Sequence, residues 1–216
     1  MADSVAEFLK PRIVNVQALG PQRAKVSLEP LERGFGITIG NSLRRIILSS
    51  LHGAAVTAVK FDGVMHEFSV IPGVLEDVSE ILLNLKEVRF KVDDAKPKFV
   101  RLEVTGEGEV TAGQMVSDDG HCTVLNPQQH IATLSEKVSL KMALTVKTGR
   151  GYALAEANKD DDAPAGTIPV DAVFSPIRRV NYVVGNARVG QRTDYDKLTM
   201  EVENSTGAPA SPCNAP

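Results

Sequence analysis

Asp194 and Asp196 stand two residues apart, on one side of an extended segment, where two carboxylates could share a divalent cation. Their neighbours Arg192 and Lys197 favour local ion pairs at a turn instead, and such pairs are weak on a surface. His66-Glu67 opens a zinc-hydrolase pattern, but Val70 stands where HExxH needs its second histidine. His121-Cys122 is an adjacent pair with no further ligand near it, and His130 comes eight residues later. A four-coordinate metal needs tighter convergence, so turn residues account for the pair better. Gly106-Glu-Gly108 is not followed by the GK[ST] of a phosphate loop, and Ser49-Ser50 has no adjacent base. The acidic run Asp160–Asp162 reads as a solvated loop. The expectation is that the chain carries no catalytic, cofactor-binding or metal-binding residues and acts on no small-molecule substrate. Groups far apart in sequence can still converge.

Charge and composition narrow the class further. The chain has 216 residues, 43% of them hydrophobic, enough for one large domain or two small ones. Basic residues cluster only at Lys10-Pro-Arg12, Arg44-Arg45, Lys96-Pro-Lys98 and Arg178-Arg179, the net charge is −3, and there is no tryptophan. A nucleic-acid binder would be more basic and carry aromatic platforms, so direct DNA binding is not expected. Two cysteines give no disulfide framework, and neither a membrane-length apolar run nor a secretory signal is visible. The default is a reduced, cytoplasmic protein away from membranes.

The element that concentrates signal is a candidate helix through Gly40–His52. At about 100° per residue, Phe35, Ile39, Leu43, Ile46 and Ile47 fall in one arc, the usual core-facing stripe. Leu48 and Ile37 fall near the opposite centre, with Arg44 and Arg45 on either side of Leu48. An exposed leucine rimmed by arginines suits a protein interface, because the guanidinium fork donates widely and its stem packs on apolar surface. Burial on both sides within one domain is the rival reading. Gly34, Gly36 and Gly40 loosen the first turns, and His52-Gly53 is the expected stop.

Around it, residues 13–29 read as strand, turn, strand about Gly20-Pro21. Residues 54–71 are β-like, broken at Asp62-Gly63, and a second helix is expected from Pro72 or Gly73 to Lys86. From 88 to 150 the period changes to two, predicting short strands with glycine-rich turns and a break at Gly149–Tyr152. Residues 155–166 read as an exposed mobile loop, and strands resume at 168–173, 178–184 and 198–202. Residues 204–216 hold three prolines and no large apolar group, which predicts disorder. Strands at both ends and a β-rich middle suggest a domain interrupted by an insertion.

These residues closely resemble the N-terminal region of the bacterial-type RNA polymerase alpha subunit. The matching blocks include Glu7–Arg12, Leu28–Gly36, Gly40–Ser50, Asp62–Glu67, Gly73–Asp77, Ile81–Lys86, Gly149–Tyr152, Val170–Ala172, Ser175-Pro176, Gln191–Asp194 and Asp196–Leu198. They run in order from about residue 4 to about residue 203. The resemblance implies an α+β fold with a discontinuous dimerisation domain, 1–52 plus 179–203. A β-rich insert domain, 53–178, interrupts it, and 204–216 is a tail.

The resemblance also implies a role. Family members form homodimers on which the catalytic beta and beta-prime subunits of DNA-directed RNA polymerase assemble, and the nucleotidyl-transfer site lies in those other subunits. Carried over by motif, Arg45 and Leu48 would face the beta subunit with Glu80 nearby. Lys86, Val173, Val180 and Met200 would lie toward beta-prime. Phe35, Ile39, Leu43, Ile46 and Ile47 would face the core and the dimer partner. The family's further amphipathic helix and C-terminal DNA- and activator-binding domain do not appear after Gly207, so the resemblance implies a dimer with less apolar interface.

Overall fold

The computed structural model describes residues 13–160 and 162–205. The elements in chain order are β1 (Ile13–Gly20), β2 (Arg23–Leu31), α1 (Phe35–Ser50), β3 (His52–Phe61), α2 (Val78–Lys86), β4 (Phe90–Val92), β5 (Lys98–Thr111), β6 (Val116–Ser117) and β7 (Cys122–Val124). They continue as β8 (His130–Arg150), β9 (Tyr152–Ala153), α3 (Ala155–Asn158), β10 (Thr167–Pro169), β11 (Ala172–Val173), β12 (Ile177–Val189) and β13 (Arg192–Asn204). The chain is mostly β-sheet, more so than the α+β expectation, with α1 and α2 the only helices beyond a single turn among the described residues.

The described residues fall into two compact units, 13–51 with 176–205, and His52–Ser175. The first holds an antiparallel sheet in the order β1-β2-β13-β12. Its centre is a pairing between distant parts of the chain, with Val26 opposite Met200 and Ala24 opposite Val202. Helix α1 packs on β12 and β13. Leu31, Val180, Leu198 and Met200 form the buried core beneath it, and Ile39, Leu43, Ile47 and Leu48 close it from the helix side. The block Glu7–Arg12 lies outside the described residues. So does the expected tail from residue 206 on, but Asn204 ends β13 and the Ser205 N–H donates to the Pro176 carbonyl at 2.8 Å. Order therefore reaches two residues into the stretch expected to be disordered.

The His52–Ser175 unit is built on a seven-stranded sheet, β6-β5-β8-β3-β4-β7 with β10 on β3, and a two-stranded β11-β9 ribbon. Alternate residues of β5 and β8, among them Val100, Leu102, Leu140, Leu144 and Val146, point into one apolar core with Val78, Ile81, Leu82 and Leu85 of α2. Beside the expected short strands, here β4, β6 and β7, the region holds two long ones, of 14 and 21 residues. Gly106 and Gly108 do not end β5. At φ 136° and 130° they carry it past a bulge, where β8 holds extra residues between Leu134 and Val138.

The β-like stretch expected to run on to residue 71 ends with β3 at Phe61, and three boundaries also differ from the sequence reading. Helix α1 stops at Ser50, and His52 and Gly53 already pair with Arg150 and Gly149 in the β3–β8 ladder. Helix α2 starts at Val78 rather than at Pro72 or Gly73, because Asp77 Oδ1 caps it by accepting the Glu80 N–H at 2.7 Å. Val74 fits the helical period but is buried by bridging Leu134 of β8. The loop expected at 155–166 opens with α3 and is anchored, the Asn158 Nδ2 donating to Val170 O at 2.9 Å.

Candidate subunit interface

Helix α1 rests on its sheet through glycine. A Cβ added at Gly36 would stand 2.7 Å from Val184 Cγ1, and one at Gly40 would stand 2.7 Å from Tyr182 Cδ2 and 2.9 Å from Leu198 Cδ1. Spaced four apart, the two glycines lie on one face and let the helix backbone approach the strands. Leu43 and Ile47 continue that face. The packed face is therefore rotated from the one expected. Phe35 and Ile46, read as core-facing, form one exposed flank at 40% and 54% exposure. Ile37, 60% exposed, lies on the other flank with Arg44 and Arg45. Leu48 sits at that edge but is half-buried against the core rather than standing clear of it.

The start of α1 has no cap of its own, since Gly34 precedes it with φ 87°. Asp196 supplies one from β13. Its Oδ2 accepts the Gly34 N–H at 2.9 Å and the Gly36 N–H at 3.0 Å, at the positive end of the helix dipole. Asp194 instead pairs with Arg192 at 2.9 Å, and Arg192 lies over the Tyr195 ring, 4.9 Å from its centroid. The two carboxylates that could have shared a cation thus serve a helix end and a hairpin tip. Among the described residues no three His, Cys, Asp or Glu side chains gather to hold a metal ion.

A second surface lies in the His52–Ser175 unit. Lys86, the last residue of α2, pairs with Asp171 Oδ2 at 3.2 Å. Asp171 Oδ1 accepts the Ala155 N–H at 2.8 Å. The Ala155 N–H first and Lys86 next hold the Asp171 carboxyl below its ordinary range. Val173, exposed and two residues after Asp171 in the chain, pairs with Tyr152 across the β11-β9 ribbon. Glu80 is exposed on α2. The expectation for Val180 and Met200 needs correcting. They are 2% and 3% exposed beneath α1, so neither side chain offers a surface to a partner.

The sequence reading did not single out the exposed apolar run ahead of α2. Met65, Phe68, Val70 and Leu75 all face solvent, as does Leu83 on the helix. The Ser79 hydroxyl donates to Glu67 O at 2.9 Å and the Val78 N–H to Ser69 O at 3.2 Å, tying this run to the helix start. A run of apolar residues without period two or 3.6 was the available signal.

Other candidates resolve into structure. Lys98, taken with Lys96 as a basic cluster, is 4% exposed and lies between Asp94 at 2.9 Å and Asp119 at 2.7 Å. Lys98 draws the Asp119 carboxyl down to about 2. Burial first, and Asp119 next, pushes the Cys122 thiol up to about 11, which keeps it protonated. His66 shares a hydrogen bond with Ser69 at 3.1 Å. No helix among the described residues is long and apolar enough to cross a membrane.

Exposed apolar side chains on both sides of the packed face of α1, beside Arg44 and Arg45, are the main surface feature of this helix. Comparison with known proteins specifies the class. A family model described as the RNA polymerase Rpb3/RpoA insert domain matches residues 59–175. The chain is 64% identical over 196 residues to the DNA-directed RNA polymerase subunit alpha of Desulfosudis oleivorans, covering 91% of this chain and 58% of that protein. It is 62% identical to the subunit of the same name from Desulforapulum autotrophicum, with 91% and 57% covered. For that of Symbiobacterium thermophilum the identity is 56%, with 89% and 61% covered. The chain belongs to the RNA polymerase alpha-subunit family. It spans 58% of the length of the first of these relatives.

Proposed function

We propose that this chain is a non-catalytic assembly subunit of a cytoplasmic DNA-directed RNA polymerase, with the nucleotidyl-transfer site in other subunits. Two copies pair through the α1 flank that carries Phe35 and Ile46, and the dimer receives the beta and beta-prime subunits on separate surfaces. The observation that carries this reading is α1 itself, which leaves apolar side chains in solvent on both sides of its packed face. Covering a large apolar side chain is worth about 1.5–3 kcal/mol, a standing incentive to associate.

Ile39, Leu43 and Ile47 share this duty less directly, since the sheet already holds part of each. On the opposite flank Arg45 and Leu48 face the beta subunit, with Glu80 contributing from α2. Toward beta-prime, Lys86 and Val173 make contact, and Asp171 fixes the Lys86 ammonium in place. Val180 and Met200 act from beneath, by holding the sheet on which α1 lies.

Two measurements test this. Light scattering of the chain should give the mass of two copies, and Ile46→Glu should reduce it to one while circular dichroism stays unchanged. A monomeric parent chain would remove the pairing claim. In co-purification with the beta subunit, Arg45→Ala should weaken capture by about tenfold, the cost of a central interfacial arginine. Undiminished capture would take Arg45 out of the interface, and no capture by the parent chain would remove the assembly role.

A further inference from the structure

His130 opens β8, and both of its ring nitrogens meet carboxylates. Nε2 lies 2.9 Å from Glu76 Oε1 and Nδ1 lies 2.9 Å from Glu109 Oε1. A carboxylate only accepts, and a neutral imidazole has one N–H, so both contacts are hydrogen bonds only in the imidazolium. The two acids come from different places. Glu109 is on β5, which pairs with β8, whereas Glu76 belongs to the segment ahead of α2.

That segment touches the sheet at a chosen place. Between Leu134 and Val138, β8 bulges, and there the Ser135 N–H donates to Gly73 O at 2.9 Å and the Leu75 N–H to Thr133 O at 3.0 Å. Glu76 completes the seam. Its Oε2 accepts the Thr133 N–H at 2.6 Å and its Oε1 accepts the Thr133 hydroxyl at 3.0 Å. One residue on, Asp77 caps α2.

We propose that His130 is a proton-dependent clamp that fixes residues 73–76, and through them the start of α2, to the bulge of β8. With the ring charged, Glu76 is bound from both sides and Glu109 neutralises what Glu76 leaves over. With the ring neutral, only one carboxylate keeps its bond, and the other is left beside a lone pair. Among the described residues, the charged groups bonded to the ring are Glu76 and Glu109.

Ionisation follows the same geometry. The bond to Glu76 first, against burial, and that to Glu109 hold His130 above its ordinary 6.5. Burial works to raise the Glu76 carboxyl, but bonds from Thr133 and His130 outweigh it and leave it below 4.5. The histidine contribution is therefore complete below pH 6.5 and lost as pH rises through its raised value. The Glu76 contribution is complete above pH 4.5 and lost as pH falls through its lowered one. The clamp is tightest between these limits and opens on the alkaline side.

This inference does not depend on the assembly role and is tested on the free chain. Amide hydrogen exchange is followed from pH 6 to 9 and corrected for intrinsic base catalysis. The Leu75 and Ser135 amides should exchange about tenfold faster at the alkaline end, as expected for loss of one charge-assisted hydrogen bond. Amides deep in the β5–β8 ladder, such as Leu102, should not change. The His130 ring protons should titrate with the same midpoint, above 6.5. Glu109→Gln, at an exposed site, should move both midpoints to lower pH, and His130→Gln should abolish the step. Constant corrected exchange at Leu75 and Ser135, a His130 midpoint at or below 6.5, or an unmoved step in Glu109→Gln would each overturn the proposal.

Discussion

At Gly34 helix α1 begins on a residue with no side chain, and the acceptor it lacks comes from Asp196, 162 residues further along. Asp196→Ala should lower the unfolding free energy by about 1–2 kcal/mol, the range for a lost N-cap, measured by urea denaturation. Lys98 and its two acids give a different readout. Asp119 is held near 2, so its contribution is present above 3.8 and fades as pH falls toward 2. The urea midpoint should therefore drop between pH 4 and 2, and Lys98→Met should flatten that part of the curve. In sequence, Asp194 and Asp196 read as a turn with local ion pairs; the Arg192–Asp194 pair forms, but both acids lie in β13. What Asp196 binds was not visible, because its partner is a helix end brought up by the fold, and spacing along the chain carries no trace of it.

Hydrophobic period found α1 but set its packed face off centre, for a physical reason. Glycine has no weight in an apolar stripe, yet Gly36 and Gly40 are where this helix meets its strands. The arc of large residues consequently straddles the base, with Ile39, Leu43 and Ile47 on it, and one flank, with Phe35 and Ile46. Gly40→Ala tests this directly. Helix propensity alone predicts a gain of about 1 kcal/mol. The Cβ at 2.7 Å from Tyr182 predicts overpacking, with a net loss of about 1–3 kcal/mol, visible as a lower melting temperature. Ser42→Ala, on the exposed side, should be neutral or slightly stabilising. In the insert unit, alternation in β5 and β8 was legible, but their length was not. A glycine pair at a bulge and a glycine pair at a turn read alike until pairing is known.

Among the described residues the two clusters of buried apolar side chains lie one within His52–Ser175 and the other within the segments on either side of it. The fragment 52–175 should thus fold alone, with a cooperative thermal transition and slow-exchanging amides in β5 and β8. A broad, non-cooperative melt would contradict an independent core. Strand patterns at both ends of the sequence are the feature that suggested an interrupted domain.

The β2–β13 pairing also sets an order in time. On the ribosome, α1 emerges with its glycine face finished and nothing to lay it on, since β12 and β13 are made only after the whole inserted unit. At ~5–20 residues per second the wait is roughly ten to thirty seconds. During it the insert can fold, while Leu43, Ile47 and the flank residues stay open to whatever they meet. A nascent-chain protease assay should find α1 cleavable until Asn204 clears the exit tunnel and protected afterwards.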